Sequence, residues 1–511
     1  MRTSAAAGTA PDHEVAIVGA GFSGIGAAIA LDRAEIDDWV MIEAGDGVGG
    51  AWHWNTYPGV AVDIPSFSYQ FSFAKRSDWS RIYASGAELK RYAEDLVDSH
   101  GLRSRIRFDT KVVGAAYDEE GHLWRLDTDR GEVTARFVIG ATGVFSQPKL
   151  PDIPGVDEFA GTTAHTARWD HDLELAGKRV GVIGTGASAV QLVPSIAPEV
   201  EKLTVFQRTP IWCLPKPDGP IDGARRWALE NLPGAKLATR LASQLYVELT
   251  FPLPAHFNGV IPLGKQGERV GRRFLREEVD DPVVRDRLTP RYGLGCKRPG
   301  FSNEYLATFN RGNVELETTA IEAVTAAGVS TIGDRLHELD VLVLATGFKV
   351  FDRGNMPPYP IKGRSGLDLE EWWDENRFQA YEGVSVPGFP NLFAILGPYG
   401  YNGASYFQLI ETQVRHICRC LRHARKERAT AIEVTREAND RYFRQMLDRR
   451  THQIFFQDTC ADANSYYFDR HGDVPLRPSP SVETHWRSAR FDLDDYRFER
   501  RLSPAPAGSH R

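Results

Sequence analysis

Residues 15–24 read Val-Ala-Ile-Val-Gly-Ala-Gly-Phe-Ser-Gly. An apolar run of strand type meets G-x-G-x-x-G and passes into the Ala-rich helical stretch 25–31. Each glycine has a physical reason. Gly19 makes the tight turn, Gly21 lets the backbone approach a pyrophosphate, and Gly24 lets helix and strand pack closely. The helix N-terminus then offers free N–H groups and the positive end of its dipole. A second strand, 39–44, carries Glu43 twenty-four residues after Gly19, placed to accept hydrogen bonds from a ribose diol. The stretch therefore predicts a Rossmann-like βαβ unit.

The pattern recurs. Residues 178–189 read Lys-Arg-Val-Gly-Val-Ile-Gly-Thr-Gly-Ala-Ser-Ala, with Gly184, Gly186 and Ser188 in the phosphate-binding turn. Its following strand ends on Arg208-Thr209 where the first copy has Glu43. An acid there would repel a 2′-phosphate, whereas Arg and Thr would bind one. The first unit is thus expected to hold FAD and the second NADPH. Two further apolar runs, 137–143 and 339–347, end in Ala-Thr-Gly. They mark the points where the chain crosses between domains. The expected fold is α/β, with two Rossmann-like domains, the second inserted in the first. The FAD domain takes residues 14–145 and 335–500, and the NADPH domain 146–212 and 291–334. Residues 213–290, rich in Arg, Leu and Glu, read as a helical insert over the substrate side. Residues 1–13 and 503–511 read as a disordered leader and tail.

Composition sets outer bounds. A chain of 511 residues exceeds one ordinary core. Its 42% hydrophobic and 25% charged content is that of a globular protein, and a net charge of −7 argues against nucleic acid. No apolar run approaches the roughly 18 residues of a membrane span. The five cysteines are odd in number and lack C-x-x-C spacing, which favours neither disulfides nor zinc and points to a reducing cytoplasm.

Between the two units lies Phe159-Ala-Gly-Thr-Thr-Ala-His-Thr-Ala-Arg-Trp-Asp170. This F-x-G-x-x-x-H-x-x-x-W-D stretch resembles the fingerprint of type I Baeyer–Villiger monooxygenases, a branch of the class B flavin monooxygenases. Residues 49–63, with Gly49-Gly50, Trp52, Tyr57-Pro58-Gly59 and Asp63, are similar to that family's second signature. Cys296-Lys-Arg-Pro299 and Phe309-Asn-Arg-Gly-Asn-Val314 are similar to two later segments, with Gly312 where the family often has Asp.

The resemblance implies an enzyme that uses NADPH and O₂ to insert an oxygen beside a ketone carbonyl, giving an ester or lactone through an anionic C4a-peroxyflavin. It assigns Arg298 as the catalytic cation, because a guanidinium cannot lose its proton and forks two donors in a plane. It assigns Asp63 as the carboxylate partner, Trp52 to the flavin side and Lys297 to the 2′-phosphate. Phe159, Gly161, His165, Trp169 and Asp170 become a linker whose geometry matters more than its chemistry. Apart from the resemblance, Arg298 could belong to a structural ion pair and Asp63 to a turn. The alternative activity on this scaffold is oxidation of sulfur or nitrogen.

Overall fold

The computed structural model describes residues 10–259 and 264–501. The strand His13–Val18 is buried along its apolar half and sits inside a sheet. It pairs in parallel with Trp39–Ile42 on one side and Gly131–Gly140 on the other. That sheet continues outward through Leu123–Thr128 and Val112–Asp118, and Leu392–Ala394 also joins Gly131–Gly140 in parallel. The helix Phe22–Arg33 covers one face and packs against the long helix Tyr406–Glu427. Phe22, Phe71 and Phe407 meet edge-on or tilted between them.

The second sheet is wholly parallel. Its order is Val314–Glu317, Lys202–Phe206, Arg179–Ile183, Val341–Leu344, Thr162–His165. The expected return to the first domain near residue 335 is therefore corrected: Val341–Leu344 is an inner strand of the second sheet, and the chain crosses back after it. The apolar run Val-Leu-Val-Leu suits any buried parallel strand, so its sequence does not say which sheet it joins. The expected leader also shortens, because His13 already belongs to a strand. Residues 1–9 and the expected tail lie outside the described residues.

The two crossings touch. Lys149 N–H donates to the Gly347 carbonyl at 2.9 Å, and Lys349 N–H to the Gln147 carbonyl at 3.1 Å. Two antiparallel segments thus form one paired link between the domains. The expected insert is helical, with helices Gly223–Asn231, Ala235–Thr250, Pro252–His256, Gly264–Glu278 and Pro282–Arg287. No helix of the described residues is long and apolar enough to cross a membrane.

Candidate active site

The first cradle is closed by backbone against backbone. Gly19 turns at φ +107°, and a Cβ on Gly24 would stand 1.9 Å from the Gly19 carbonyl oxygen. Gly49 donates to the Ala20 carbonyl at 3.0 Å, folding the Gly-Gly pair back onto the first turn. A Cβ on Gly21 would lie 3.4 Å from the Gly50 Cα. The Gly-Gly-x-Trp pattern is thus the other wall of the same cradle. Glu43 is buried and accepts from Ala20 N–H at 2.6 Å and Gly45 N–H at 2.8 Å. Burial raises its carboxyl above the usual range despite those bonds. Trp52 donates to the Tyr69 hydroxyl at 3.2 Å and meets that ring edge-on.

The second cradle is open. A Cβ on Gly186 would meet nothing within 4 Å, and the helix Ala187–Ile196 that follows has no side-chain cap. Its first N–H groups are left for an anion. One turn on, Gln191 accepts from the Tyr57 hydroxyl at 2.9 Å and donates to the Ala61 carbonyl at 2.9 Å. Ser188 also lies beside that phenol. The helix behind the second cradle therefore grips residues 57–61 of the first domain, two positions before Asp63.

At the end of the strand Lys202–Phe206, a cleft of about 510 Å³ is lined by Arg208, Thr209, Arg287, Thr289, Arg291 and Asn464, among others. Asn464 donates to the Thr209 hydroxyl at 3.2 Å. Lys297 is half-buried, with its ammonium 5.4 Å from the Tyr292 ring centre. Burial and the nearby charge of Arg208 push its amine down to about 8. Neither Arg287, which ends the helix Pro282–Arg287, nor Arg291 belongs to a sequence motif. Arg287 and Thr289, at the end of the helical segment 213–290, and Arg291 just after it thus line this cleft.

Arg298 and Asp63 come together across 235 residues of sequence. Nε donates to Oδ2 at 2.6 Å and Nη2 to Oδ1 at 3.1 Å, a side-on bidentate pair. Burial opposes both charges, but each holds the other ionised. Asp63 stays below the usual carboxylate range and Arg298 well above its own ordinary value. The remaining nitrogen, Nη1, is buried and has no hydrogen-bond partner. Both residues line a cavity of about 20 Å³ with Tyr246, Val247, Phe251 and Phe301. The guanidinium carbon lies 5.3 Å from the Phe251 ring centre. The segment 464–468 is a loop. Its Tyr466 phenol lies against the Arg298 backbone amide.

The linker residues stand apart from that pair in role. His165 ends the edge strand of the second sheet. Its Nδ1 accepts from Ala167 N–H at 3.0 Å, and its Nε2 lies 3.3 Å from the Thr346 hydroxyl, which itself donates to the Lys149 carbonyl. Burial lowers its pKa and keeps it neutral. It fastens the two crossings together. A Cβ on Gly161 would meet the Phe159 ring at 2.6 Å and the Asp340 carbonyl at 2.5 Å. Trp169 packs on the second domain's core, and exposed Asp170 only caps a local turn through Asp172 N–H.

Cysteine usage needs a correction. Cys296 and Cys460 are disulfide-bonded, with Cα atoms 5.3 Å apart and 164 residues between them. Sequence spacing carries no trace of a pairing at that separation. The one cluster of metal-type ligands among the described residues is Glu315, Glu317 and His337. Lys202 and Arg335 already neutralise its carboxylates.

Two dinucleotide cradles on separate sheets, joined by one paired link, together with a buried Arg–carboxylate pair, define a two-nucleotide oxidoreductase. Residues 16–220 match the family model described as pyridine nucleotide-disulphide oxidoreductase, and that match ends before either bonded cysteine. A Baeyer–Villiger monooxygenase of Streptomyces coelicolor is 37% identical over 501 residues, covering 96% of this chain and 93% of its own. The closed crystal structure of cyclohexanone monooxygenase aligns with a TM-score of 0.86 at 32% identity, over 96% of this chain and 100% of that one. OTEMO in complex with FAD and NADP gives 0.85 at 28%, with the same coverage. The chain belongs to the Baeyer–Villiger monooxygenase family.

Proposed function

We propose that this enzyme uses NADPH and O₂ to insert one oxygen next to the carbonyl of an apolar ketone, yielding an ester or lactone. The observation that carries this reading is the Arg298–Asp63 pair, a fixed cation with one buried donor left unused. FAD suits the first cradle, where the helix that follows Gly21 has no side-chain cap and Glu43 stands beside the turn. NADPH suits the second, where Gly186 is open and the basic cleft begins at Arg208. Bound FAD, once reduced, supplies oxygen in an activated form.

The chain's own residues do the rest. Asp63 occupies Nε and Nη2 of Arg298 and so fixes the plane of the fork. Nη1 then stabilises negative charge as it develops on the carbonyl oxygen, the largest electrostatic contribution in such additions. Phe251, Val247 and Phe301 make one side of the same space apolar. A volume of about 20 Å³ admits one water but no ketone. Binding of substrate therefore requires the lining from 246–251 to move, a gating step of the kind that often limits turnover. Consumption of NADPH fits a reaction in the cytoplasm, where that carrier is regenerated.

The test is product analysis. Purified enzyme with NADPH in air is given cyclic and aryl ketones in one set and thioethers and amines in another. Esters or lactones formed one per NADPH support the proposal. Sulfoxides or N-oxides with no ester from any ketone would overturn it in favour of heteroatom oxidation.

A further inference from the structure

The helix Ala235–Thr250 is turned inside out. Arg240 and Ser243 are buried at 5% and 8% exposure. Arg240 donates to the Gln70 carbonyl at 2.7 Å and Ser243 to the Ser68 hydroxyl at 2.8 Å. The apolar positions face outward instead. Leu237, Leu241, Leu245 and Leu249 are 52%, 56%, 60% and 48% exposed. The other exposed positions of this helix are Ala238 and Ala242, so its most exposed positions carry no charged side chain, while Lys236, Thr239, Gln244 and Glu248 are half-buried. Trp227 on the preceding helix and Leu232 in the connection are 59% and 50% exposed. Together these side chains offer on the order of 700 Å² of apolar surface. That exceeds the roughly 300–600 Å² of the largest patch on a typical monomer and approaches the ~800 Å² one partner gives a stable interface.

We propose that this face is covered by a second copy of the chain in an isologous dimer. The four leucines at four-residue spacing form one i±4 ridge, and Ala238 and Ala242 leave a shallow groove beside it. A two-fold axis across the helix lays each ridge in the other's groove. A lipid surface fits less well. Charges on the two helices are mixed, with Arg225, Arg226 and Lys236 against Glu230, and the chain carries −7 overall. Anionic membranes select for a basic surround. The inner side of the same helix supplies Tyr246, Val247 and Thr250 to the Arg298 cavity. The dimer contact would thus back the wall that has to move when substrate enters.

Sedimentation velocity of the FAD-loaded enzyme over a concentration series tests this. The wild type is expected to run at twice the chain mass. The Leu241→Glu/Leu245→Glu variant is expected to run at the chain mass, with flavin absorbance and NADPH-driven flavin reduction unchanged. Hydrogen exchange of the wild type adds a readout independent of any variant, with protection of 235–250 expected to rise with concentration. A wild type that stays monomeric throughout overturns the proposal. If that monomer floats with phosphatidylcholine–phosphatidylglycerol vesicles, the face belongs to lipid. A dimer that survives the double substitution, with exchange over 235–250 insensitive to concentration, overturns it equally.

Discussion

The two dinucleotide cradles share a glycine turn, but the second carries Ala189 where the first has Gly24, and their surroundings differ. The first is walled in. Its glycines press on each other, a second glycine pair closes the far side, and its acid is buried with both oxygens already engaged. The second has open space at Gly186 and leads into a cleft of about 510 Å³ edged by arginines. A walled site suits a group that stays through every turnover, and an open, charged one suits a carrier that must come and go. One motif therefore serves two residence times, set by what lies beyond its glycines.

The sharpest way to break this comparison is to add one methyl group to each cradle. In Gly24→Ala the new Cβ would lie 1.9 Å from a backbone oxygen, with no flexible neighbour to yield. Loss of bound flavin and of most folded protein is expected, read from the flavin-to-protein absorbance ratio. In Gly186→Ala the methyl enters open space. Fold and flavin content should persist, while KM for NADPH rises several-fold because the phosphates need that space. Full flavin content in Gly24→Ala would refute the walled description. Next in size is Arg298→Ala. Removal of an oxyanion donor costs about 10²–10³ in kcat. Ketone oxygenation is expected to fall by that factor while flavin reduction by NADPH stays within a few-fold. Equal loss in both steps would make Arg298 a structural residue.

Legibility in the sequence followed the range of the forces involved. Gly19, Gly21, Gly24 and Glu43 act within about thirty residues, so local spacing predicts their turn, helix and acid. Val341–Leu344 has the same apolar alternatives in either sheet, and only partners far away in sequence place it in the second. Cys296 and Cys460 are likewise joined by tertiary structure alone. Arg287 and Arg291 carry no motif, and only the tertiary structure brings them to the edge of a cleft. The leucines at 237, 241, 245 and 249 give a helical period, but a period does not state which face turns inward. Buried Arg240 and Ser243 reverse the usual answer. Arg298 and Asp63 were legible through the family resemblance, whereas their bidentate geometry came only from the structure.

A gentler test of the second cradle is its preference for NADPH over NADH. A charge-assisted hydrogen bond to phosphate contributes about 1.5–3 kcal/mol, roughly ten- to a hundredfold in binding. Arg208→Ala is expected to raise KM for NADPH by that factor and to leave KM for NADH nearly unchanged. Parallel increases for both carriers would show that Arg208 shapes the cleft rather than reading the 2′-phosphate.

The smallest expected effect depends on pH. Lys297 has its amine pushed down to about 8 by burial and by Arg208. It is charged below that pH and neutral above it, whereas a 2′-phosphate is mostly dianionic above about pH 6. The contact with phosphate is therefore lost as pH rises through about 8, and kcat/KM for NADPH should fall a few-fold between about pH 7 and about pH 9. kcat should stay flatter, because bound phosphate favours the ammonium and raises its pKa in the complex. Lys297→Met should erase the inflection at a lower plateau. Arg208→Ala should move it to higher pH, because a repelling charge is gone. A kcat/KM for NADPH that does not change across this range, measured against NADH as the internal control, would remove Lys297 from the phosphate site and leave the cleft's arginines to read the phosphate alone.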